Sequence, residues 1–163
     1  MKKRFIISAV NQKGGSGKST TIYQLSGALL INSYSPLVIL DLDPQGSLSA
    51  TWQRRAADYP VEVVHKPGIS IKDPIFNSTA SILAVNPGLK LLWVFNQVKQ
   101  NTIIFKDIQE LAIKRGLPVA RAYIPESVAL VESIAKGLPL CYMLRNHIIN
   151  QFYNQLIREI EKL

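Results

Sequence analysis

The sequence predicts an α/β fold with a mostly parallel sheet. Short apolar runs of strand length alternate along the chain with longer segments in which apolar residues recur at helical spacing, and this alternation is typical of strand–helix–strand units. Residues 37–40 are all apolar, as expected of a strand that is buried on both faces of a parallel sheet. A glycine-rich stretch at 11–17 separates the first strand-like segment from the first helix-like one.

The individual elements follow from local patterns of the same kind. Strands are predicted at 4–10, 37–40, 61–65, 89–95 and 119–124, and helices at 19–31, 47–57, 73–84, 104–115, 126–136 and from 144 onward. Gly116 and Gly137 follow two of these helices, at the position where a glycine with positive φ commonly ends a helix.

The composition excludes several classes of protein. Hydrophobic residues make up 47% of the chain and charged residues 18%, which is typical of a folded soluble protein. No apolar run approaches the roughly 18 residues of a membrane-spanning helix, and the basic residues 1–4 precede an apolar stretch that is too short for a signal peptide. We therefore expect a cytoplasmic protein without stable membrane insertion. The single cysteine, Cys141, excludes an internal disulfide and a cysteine-rich metal site, and we expect it to be buried.

The chain is basic, with a formal net charge of +8. This charge favours anionic partners, which include nucleotides, nucleic acid and acidic membrane surfaces. An ordinary basic surface is the competing interpretation, and charge alone does not choose among them.

The glycine-rich stretch has the residue types of a phosphate-binding loop. Candidate nucleotide contacts are Gly14, Gly15, Ser16, Gly17, Lys18, Ser19 and Thr20. The glycines allow a tight turn in which successive N–H groups point inward, and the N-terminus of the following helix adds its positive end. Lys18 would reach the β- and γ-phosphates, and Ser19 would place its hydroxyl on Mg²⁺. Gln12 stands where the usual G-x-x-x-x-G-K-[ST] pattern has its first glycine, and a flexible glycine-rich turn is the alternative.

Residues 10–21, VNQKGGSGKSTT, resemble the deviant Walker A motif of the ParA/MinD family of partition ATPases. The family is marked by an early lysine, here Lys13, which reaches across an ATP-sandwiched dimer to the partner's phosphates. A second cation there would stabilise charge on the leaving phosphates, so the resemblance assigns catalytic roles to Lys13 and Lys18. It also implies a P-loop NTPase-like three-layer sandwich that binds ATP or ADP with Mg²⁺ and forms an ATP-dependent homodimer. A solvated loop lysine is the alternative for Lys13.

Two aspartates, Asp41 and Asp43, directly follow the second predicted strand. Ligands of open parallel sheets bind at the carboxyl ends of the strands, where two carboxylates can address Mg²⁺ and a water. Residues 41–46, DLDPQG, resemble the family's second motif. The resemblance implies that Asp41 helps to hold the Mg²⁺ water shell and that Asp43, in a catalytic role, positions the attacking water. A solvated aspartate-rich turn is the alternative.

Two later residues are candidates for contact with the nucleotide base. Asn96, after the predicted strand 89–95, resembles the family's adenine-contacting asparagine, and an amide offers both a donor and an acceptor to a purine edge. A turn residue at the end of a strand is the alternative. Residues 124–139 resemble the family segment in which the backbone near a proline, here Pro125, borders the base.

One part of the family pattern has no counterpart in this chain. The Walker B strand that ends in D-x-[PG] is missing, and the resemblance covers two blocks, 1–65 and 73–163, with an apparent deletion near 66–72. We expect one nucleotide-binding domain over 1–163 whose sheet lacks central strands. Hydrolysis of ATP to ADP and phosphate then requires that another residue supply the Walker B function.

The sequence leaves three functions open. The first is a ParA-like ATPase of plasmid or chromosome partitioning, for which the resemblance implies non-specific DNA binding, a nucleoid location and a ParB-like centromere-binding adaptor. Arg121 and Lys136 are the main candidates for DNA contact. The second is a truncated nucleotide-binding interaction module without turnover, which the missing strand favours. The third is a MinD-like membrane-associated switch, but the polar side of the C-terminal helix mixes acidic and basic residues, which favours packing against the domain over lipid binding.

Overall fold

A computed structural model describes residues 7, 15, 17–34, 37–41, 45–53, 59, 61–65 and 92–163. The helices are α1 (Lys18–Ile31), α2 (Ser47–Gln53), α3 (Ile103–Lys114), α4 (Val128–Ala135), α5 (Leu140–Met143) and α6 (Ile149–Ile160). The strands are β1 (Val38–Asp41), β2 (Glu62–His65), β3 (Asn96–Val98) and β4 (Ile124–Pro125). The strand predicted at 4–10, except Ile7, the helix predicted at 73–84 and the apparent deletion near 66–72 lie outside the described residues.

The described strands pair in parallel, which confirms the predicted α/β class. Strand β1 pairs with β2 in a register that runs from Val38 opposite Glu62 to Asp41 opposite His65. Strand β3 pairs with β4, and an isolated parallel bridge joins Trp93 to Val119 just upstream. Within the described ranges these pairings form two separate two-stranded sheets. The complete three-layer sandwich remains a prediction.

The strand predicted at 89–95 is irregular where it is described. Within residues 92–98 regular pairing begins at Asn96, so Asn96 opens β3 and does not follow a regular strand. Hydrogen bonds to the neighbouring segment nevertheless start at Trp93, whose backbone N–H donates to Pro118 at 2.8 Å. Gln97 has a φ of 54°, and the register shifts between Asn96 and Val98. This positive φ interrupts the pairing, and an apolar pattern alone does not reveal such an irregularity.

Helix α1 lies at the centre of the packing. It contacts α2, α4, α5 and α6, and its seven consecutive residues from 23 to 29 are buried, so the helix is enclosed on all sides and has no single buried face. Two of its buried polar side chains, Gln24 and Ser26, have hydrogen-bond partners. The amide of Gln24 donates to Ser133 Oγ at 2.6 Å and accepts from the backbone N–H of Leu140 at 2.7 Å, and Ser26 Oγ lies 2.6 Å from the Tyr59 hydroxyl.

A glycine permits the closest approach to α1. A Cβ added at Gly27 would lie 2.5 Å from Cβ of Pro139 and 3.0 Å from Sγ of Cys141. Cys141 itself is buried, as predicted, with 7% of its surface exposed. Burial raises the pKa of its thiol to about 11, so the group is neutral at physiological pH.

The spacing of apolar residues in the C-terminal helix predicts an inner face of Ile148, Ile149, Phe152, Leu156, Ile160 and Leu163. Helix α6 is amphipathic, but part of this predicted face was wrong. Ile149 and Leu156 are buried as expected, whereas Ile148 is 57% exposed and Leu163 is 37% exposed. Both lie outside the helix, which begins at Ile149 and ends at Ile160. Helix α6 packs on α1 and on β4. This packing agrees with the prediction that its apolar side covers the domain.

Candidate nucleotide site

The end of the glycine-rich loop adopts the conformation that its glycines allow. Gly15 and Gly17 have φ values of 70° and 79°, in the left-handed region that other residues seldom occupy. Gly17 is the N-cap of α1 and offers no side-chain acceptor to the first turn of the helix. The N-terminus of α1 therefore keeps the positive end that favours an anion. Lys13, Gly14 and Ser16 lie outside the described residues.

The first helical residues carry the predicted phosphate and magnesium groups. Lys18, Ser19 and Thr20 form the first turn of α1, and each is partly exposed. A partly exposed lysine and a partly exposed serine hydroxyl at a helix N-terminus fit the chemistry of a phosphate group with its Mg²⁺.

Asn96 lies directly against the loop. A Cβ added at Gly17 would lie 2.6 Å from Asn96 Nδ2 and 3.2 Å from Gln97 Nε2, so the absence of a side chain at position 17 makes room for both amides. The structure thus brings the predicted base-contacting residue to the predicted phosphate loop, although the two are 79 positions apart in the sequence.

A cavity of about 130 Å³ opens at this junction. Its lining combines amides, hydroxyls and one carboxylate with apolar side chains, and consists of Gly17, Thr20, Asn96, Gln97, Pro125, Glu126, Ser127, Leu130, Val131 and Tyr153. Four of these, Gly17, Thr20, Asn96 and Pro125, are predicted site residues, contributed by α1 and its cap, β3 and β4. Among the predicted site residues that are described, Gly15, Lys18, Ser19 and Asp41 do not line the cavity.

Several lining residues were not predicted from the sequence. Gln97 and Glu126 directly follow the predicted residues Asn96 and Pro125, so adjacency could have indicated them. Tyr153 lies in the amphipathic helix α6, where an aromatic residue at helical spacing indicates core packing and carries no sign of a binding role.

A larger cavity of about 230 Å³ lies between α3 and the segments at 93–95 and 117–119. Apolar side chains form nearly all of its lining, including Trp93, Phe95, Ile108 and Leu111. It contains no predicted site residue. A phosphate-bearing ligand requires convergent polar groups, so the smaller cavity is the better candidate site.

Asp41 occupies the carboxyl end of β1, as predicted, and is 6% exposed. Its Oδ2 accepts hydrogen bonds from the backbone N–H of Ser49 at 2.9 Å and from Ser49 Oγ at 2.8 Å. The carboxylate is therefore oriented by the first turn of α2, where a negative charge also stabilises the helix. Asp43 lies outside the described residues.

The C-terminal helix fixes the segment that leads to Pro125. The backbone N–H groups of Arg121 and Ala122 donate to Oε2 and Oε1 of Glu159, each at 2.8 Å. Strand β4 begins two residues later and ends at Pro125. One carboxylate on α6 therefore holds the strand that forms a wall of the cavity.

Comparison with known proteins identifies the family. Residues 7–140 match the family model described as the CobQ/CobB/MinD/ParA nucleotide binding domain. The chain belongs to this family. The resemblance to the ParA/MinD family, inferred from residues 10–21, is thereby confirmed, and nucleotide binding is the family's described property.

One relative of this CobQ/CobB/MinD/ParA domain is a Rhizobium rhizogenes protein named "Putative replication protein A". It is 56% identical to this chain over 45 residues, which amount to 28% of this chain and 11% of the relative. The matched segment thus spans about a tenth of that relative's length. In the part of the chain that the structure describes, no helix is long and apolar enough to cross a bilayer.

Proposed function

We propose that this CobQ/CobB/MinD/ParA domain binds Mg–ATP with its phosphates at the N-terminus of α1 and its base in the cavity beside Asn96. The observation that supports this most directly is the convergence of Gly17, Asn96 and Pro125 on one cavity. The same cavity touches the N-terminus of a helix whose cap carries no side chain. Together these features provide an anion site and a base site at adjacent places.

In this proposal, different described residues contact the phosphates, Mg²⁺ and the base. The N–H groups of the first turn of α1 and the Lys18 ammonium attract the phosphates. Ser19 supplies an oxygen ligand for Mg²⁺, and Asp41, oriented by Ser49, helps to hold the ion's water shell. Mg²⁺, when bound, neutralises phosphate charge. The amide of Asn96 and the backbone at Pro125 border the base.

Replacement of Gly17 tests this arrangement. Gly17→Ala would strain a backbone with a φ of 79° and push against the Asn96 amide, so we expect ATP affinity to fall about tenfold or more. Titration with a fluorescent ATP analogue measures the loss. Gly116→Ala is the matched control, because Gly116 has a φ of 69° with nothing within 4 Å of an added Cβ. Equal ATP affinity in a folded Gly17→Ala variant would contradict the proposed site.

The proposed function includes ATP-dependent dimerisation through Lys13. Light scattering with a non-hydrolysable ATP analogue should show a dimer for the unaltered chain and a monomer for Lys13→Ala, because only the partner's phosphates would use this cation. Lys13→Ala should still bind ATP. A monomer in every nucleotide state would exclude the dimer.

The proposal extends to non-specific DNA binding. Six basic residues that could contact DNA are exposed in the described part of the chain. They are Lys114, Arg115, Arg121, Lys136, Arg145 and Arg158. We expect gel shifts of random duplex DNA with ATP, weakening steeply with salt, and each lost phosphate contact should reduce the slope of log K against log salt by about 0.9. Arg121→Ala and Lys136→Ala should show this reduction, whereas Lys106→Ala on α3 should not. No shift at low salt with ATP present would restrict the function to nucleotide binding.

The rate of ATP hydrolysis distinguishes a partition ATPase from a nucleotide-binding interaction module without turnover. A partition ATPase releases phosphate from ATP with Asp43 positioning the water, and a ParB-like adaptor would be its partner. We propose that hydrolysis is weak or absent, because the sequence lacks a Walker B strand. Phosphate release comparable to that of a complete family member would contradict this. Asp73 would then be the first residue to substitute, because Asp73-Pro74 has the letters D-P of the Walker B pattern.

A further inference from the structure

Two hydroxyl groups are buried without hydrogen bonds beside the candidate site. Neither Oγ1 of Thr21, in α1, nor the hydroxyl of Tyr153, in α6, has a hydrogen-bond partner among the described atoms. Buried polar groups in folded proteins are nearly always satisfied. Even a hydrogen bond between these two neighbouring hydroxyls would leave one hydroxyl proton without an acceptor among the described atoms.

The position of Tyr153 indicates what that partner is. Tyr153 is 2% exposed, and it lines the cavity together with Gly17, Thr20, Asn96 and Pro125. Thr21 follows Thr20 on α1. Tyr153 thus belongs to the wall of the cavity in which the nucleotide base would lie, and Thr21 lies one residue from a lining residue.

We propose that Tyr153 is a nucleotide-binding residue whose hydroxyl donates a hydrogen bond to the base of the bound nucleotide. This inference rests on the proposed nucleotide function and adds to it a contact from the C-terminal helix. The base is favoured over the phosphates because Tyr153 shares the cavity with Asn96 and Pro125, whereas cationic and backbone N–H groups for phosphate lie at the start of α1. A purine or pyrimidine ring presents nitrogen or carbonyl acceptors that suit a phenol donor.

The protonation state of Tyr153 agrees with a donor role. Burial raises the pKa of its hydroxyl well above the ordinary range, and the Thr21 hydroxyl offsets that rise in part. The phenol is therefore neutral at physiological pH and carries the proton to donate. The influence of Thr21 places the two hydroxyls next to each other, although their geometry does not meet that of a hydrogen bond.

The variant Tyr153→Phe tests the inference, because it removes the hydroxyl and keeps the ring. We expect two effects of opposite direction. The melting temperature without nucleotide should stay constant or rise, because an unsatisfied buried group is gone. The Kd for ATP should increase about three- to tenfold, as expected for one lost hydrogen bond, while displacement of a fluorescent ATP analogue by tripolyphosphate should be unchanged.

Three results would overturn the inference. They are an unchanged Kd for ATP, an equal loss of affinity for ATP and tripolyphosphate, and a fall in melting temperature with unaltered ATP affinity, which would indicate a hydroxyl satisfied within the fold.

Tyr142→Phe is the matched control, since Tyr142 is partly exposed on α5 and does not line the cavity. Thr21→Val provides a second variant and should weaken ATP binding less than Tyr153→Phe. Failure of the unaltered chain to bind ATP would overturn the proposed function as well, whereas the three results above leave that function intact.

Discussion

Lys18→Ala should reduce ATP affinity by roughly 100-fold or more, because a charged contact to phosphate in a partly enclosed site is among the strongest single interactions available. Lys18 is the first residue of α1, next to the cavity that Gly17 and Asn96 line. Alanine is an excellent helix former, so the helix should persist. Titration with a fluorescent ATP analogue measures the loss.

The control for Lys18 is Lys106→Ala. Lys106 is exposed on α3 and outside the lining of the cavity, and its replacement lowers the net charge by the same amount. A general electrostatic attraction would make the two variants equally weak, whereas a specific phosphate contact affects Lys18 alone. Retained ATP affinity in a folded Lys18→Ala variant would contradict the phosphate-loop interpretation.

Gly27→Ala should destabilise the fold by about 1 kcal/mol, although alanine is the better helix former. Helix propensity favours the substitution by about 1 kcal/mol. Overpacking opposes it, because the added Cβ would lie 2.5 Å and 2.8 Å from Cβ and Cγ of the buried Pro139. A proline ring has no alternative rotamer with which to withdraw, so the backbone must shift, which costs about 1–3 kcal/mol or more. Urea denaturation measures the net change in the free energy of unfolding.

A double-mutant cycle identifies the cause of this destabilisation. Pro139→Gly alone removes buried contacts and should also destabilise, but Gly27→Ala in the Pro139→Gly background should cost less than it does alone, because both clashing atoms, Cβ and Cγ, are absent. Strictly additive effects would exclude the contact as the cause. A more stable Gly27→Ala variant would show that propensity outweighs packing at this position.

The sequence predicted the left-handed glycines of the loop, Gly15 and Gly17, and the helix that follows them because their determinants are local. Glycines, a lysine and a hydroxyl residue within eight positions specify both a backbone conformation and a chemistry. The starts of α1 and β1 were predicted to within one residue for the same reason. Gly116, with a φ of 69°, ends α3 as its position predicted.

The packing of α6, the irregularity at Gln97 and the lining of the cavity depend on contacts between residues that are distant in the sequence. The orientation of α6 was only partly predicted, because Tyr153 and Ile157 are buried through their contacts with α1 and β4, which the spacing of apolar residues does not specify. The positive φ of Gln97 lies at a register shift between β3 and β4, which an apolar pattern does not specify. No sequence motif indicates Tyr153 as a lining residue, because it reaches the cavity only when α6 packs against α1.

The bond between Glu159 and the backbone at 121–122 has a consequence for synthesis of the chain on the ribosome. The phosphate loop emerges early, but the strand bearing Pro125 gains its carboxylate anchor only after Glu159 has left the exit tunnel. Residues 32 and 34, at the end of α1, likewise acquire their partners Asn154 and Glu161 only then. Nascent chains that have not reached this point therefore carry the glycine-rich loop beside a candidate cavity whose β4 wall lacks its anchor.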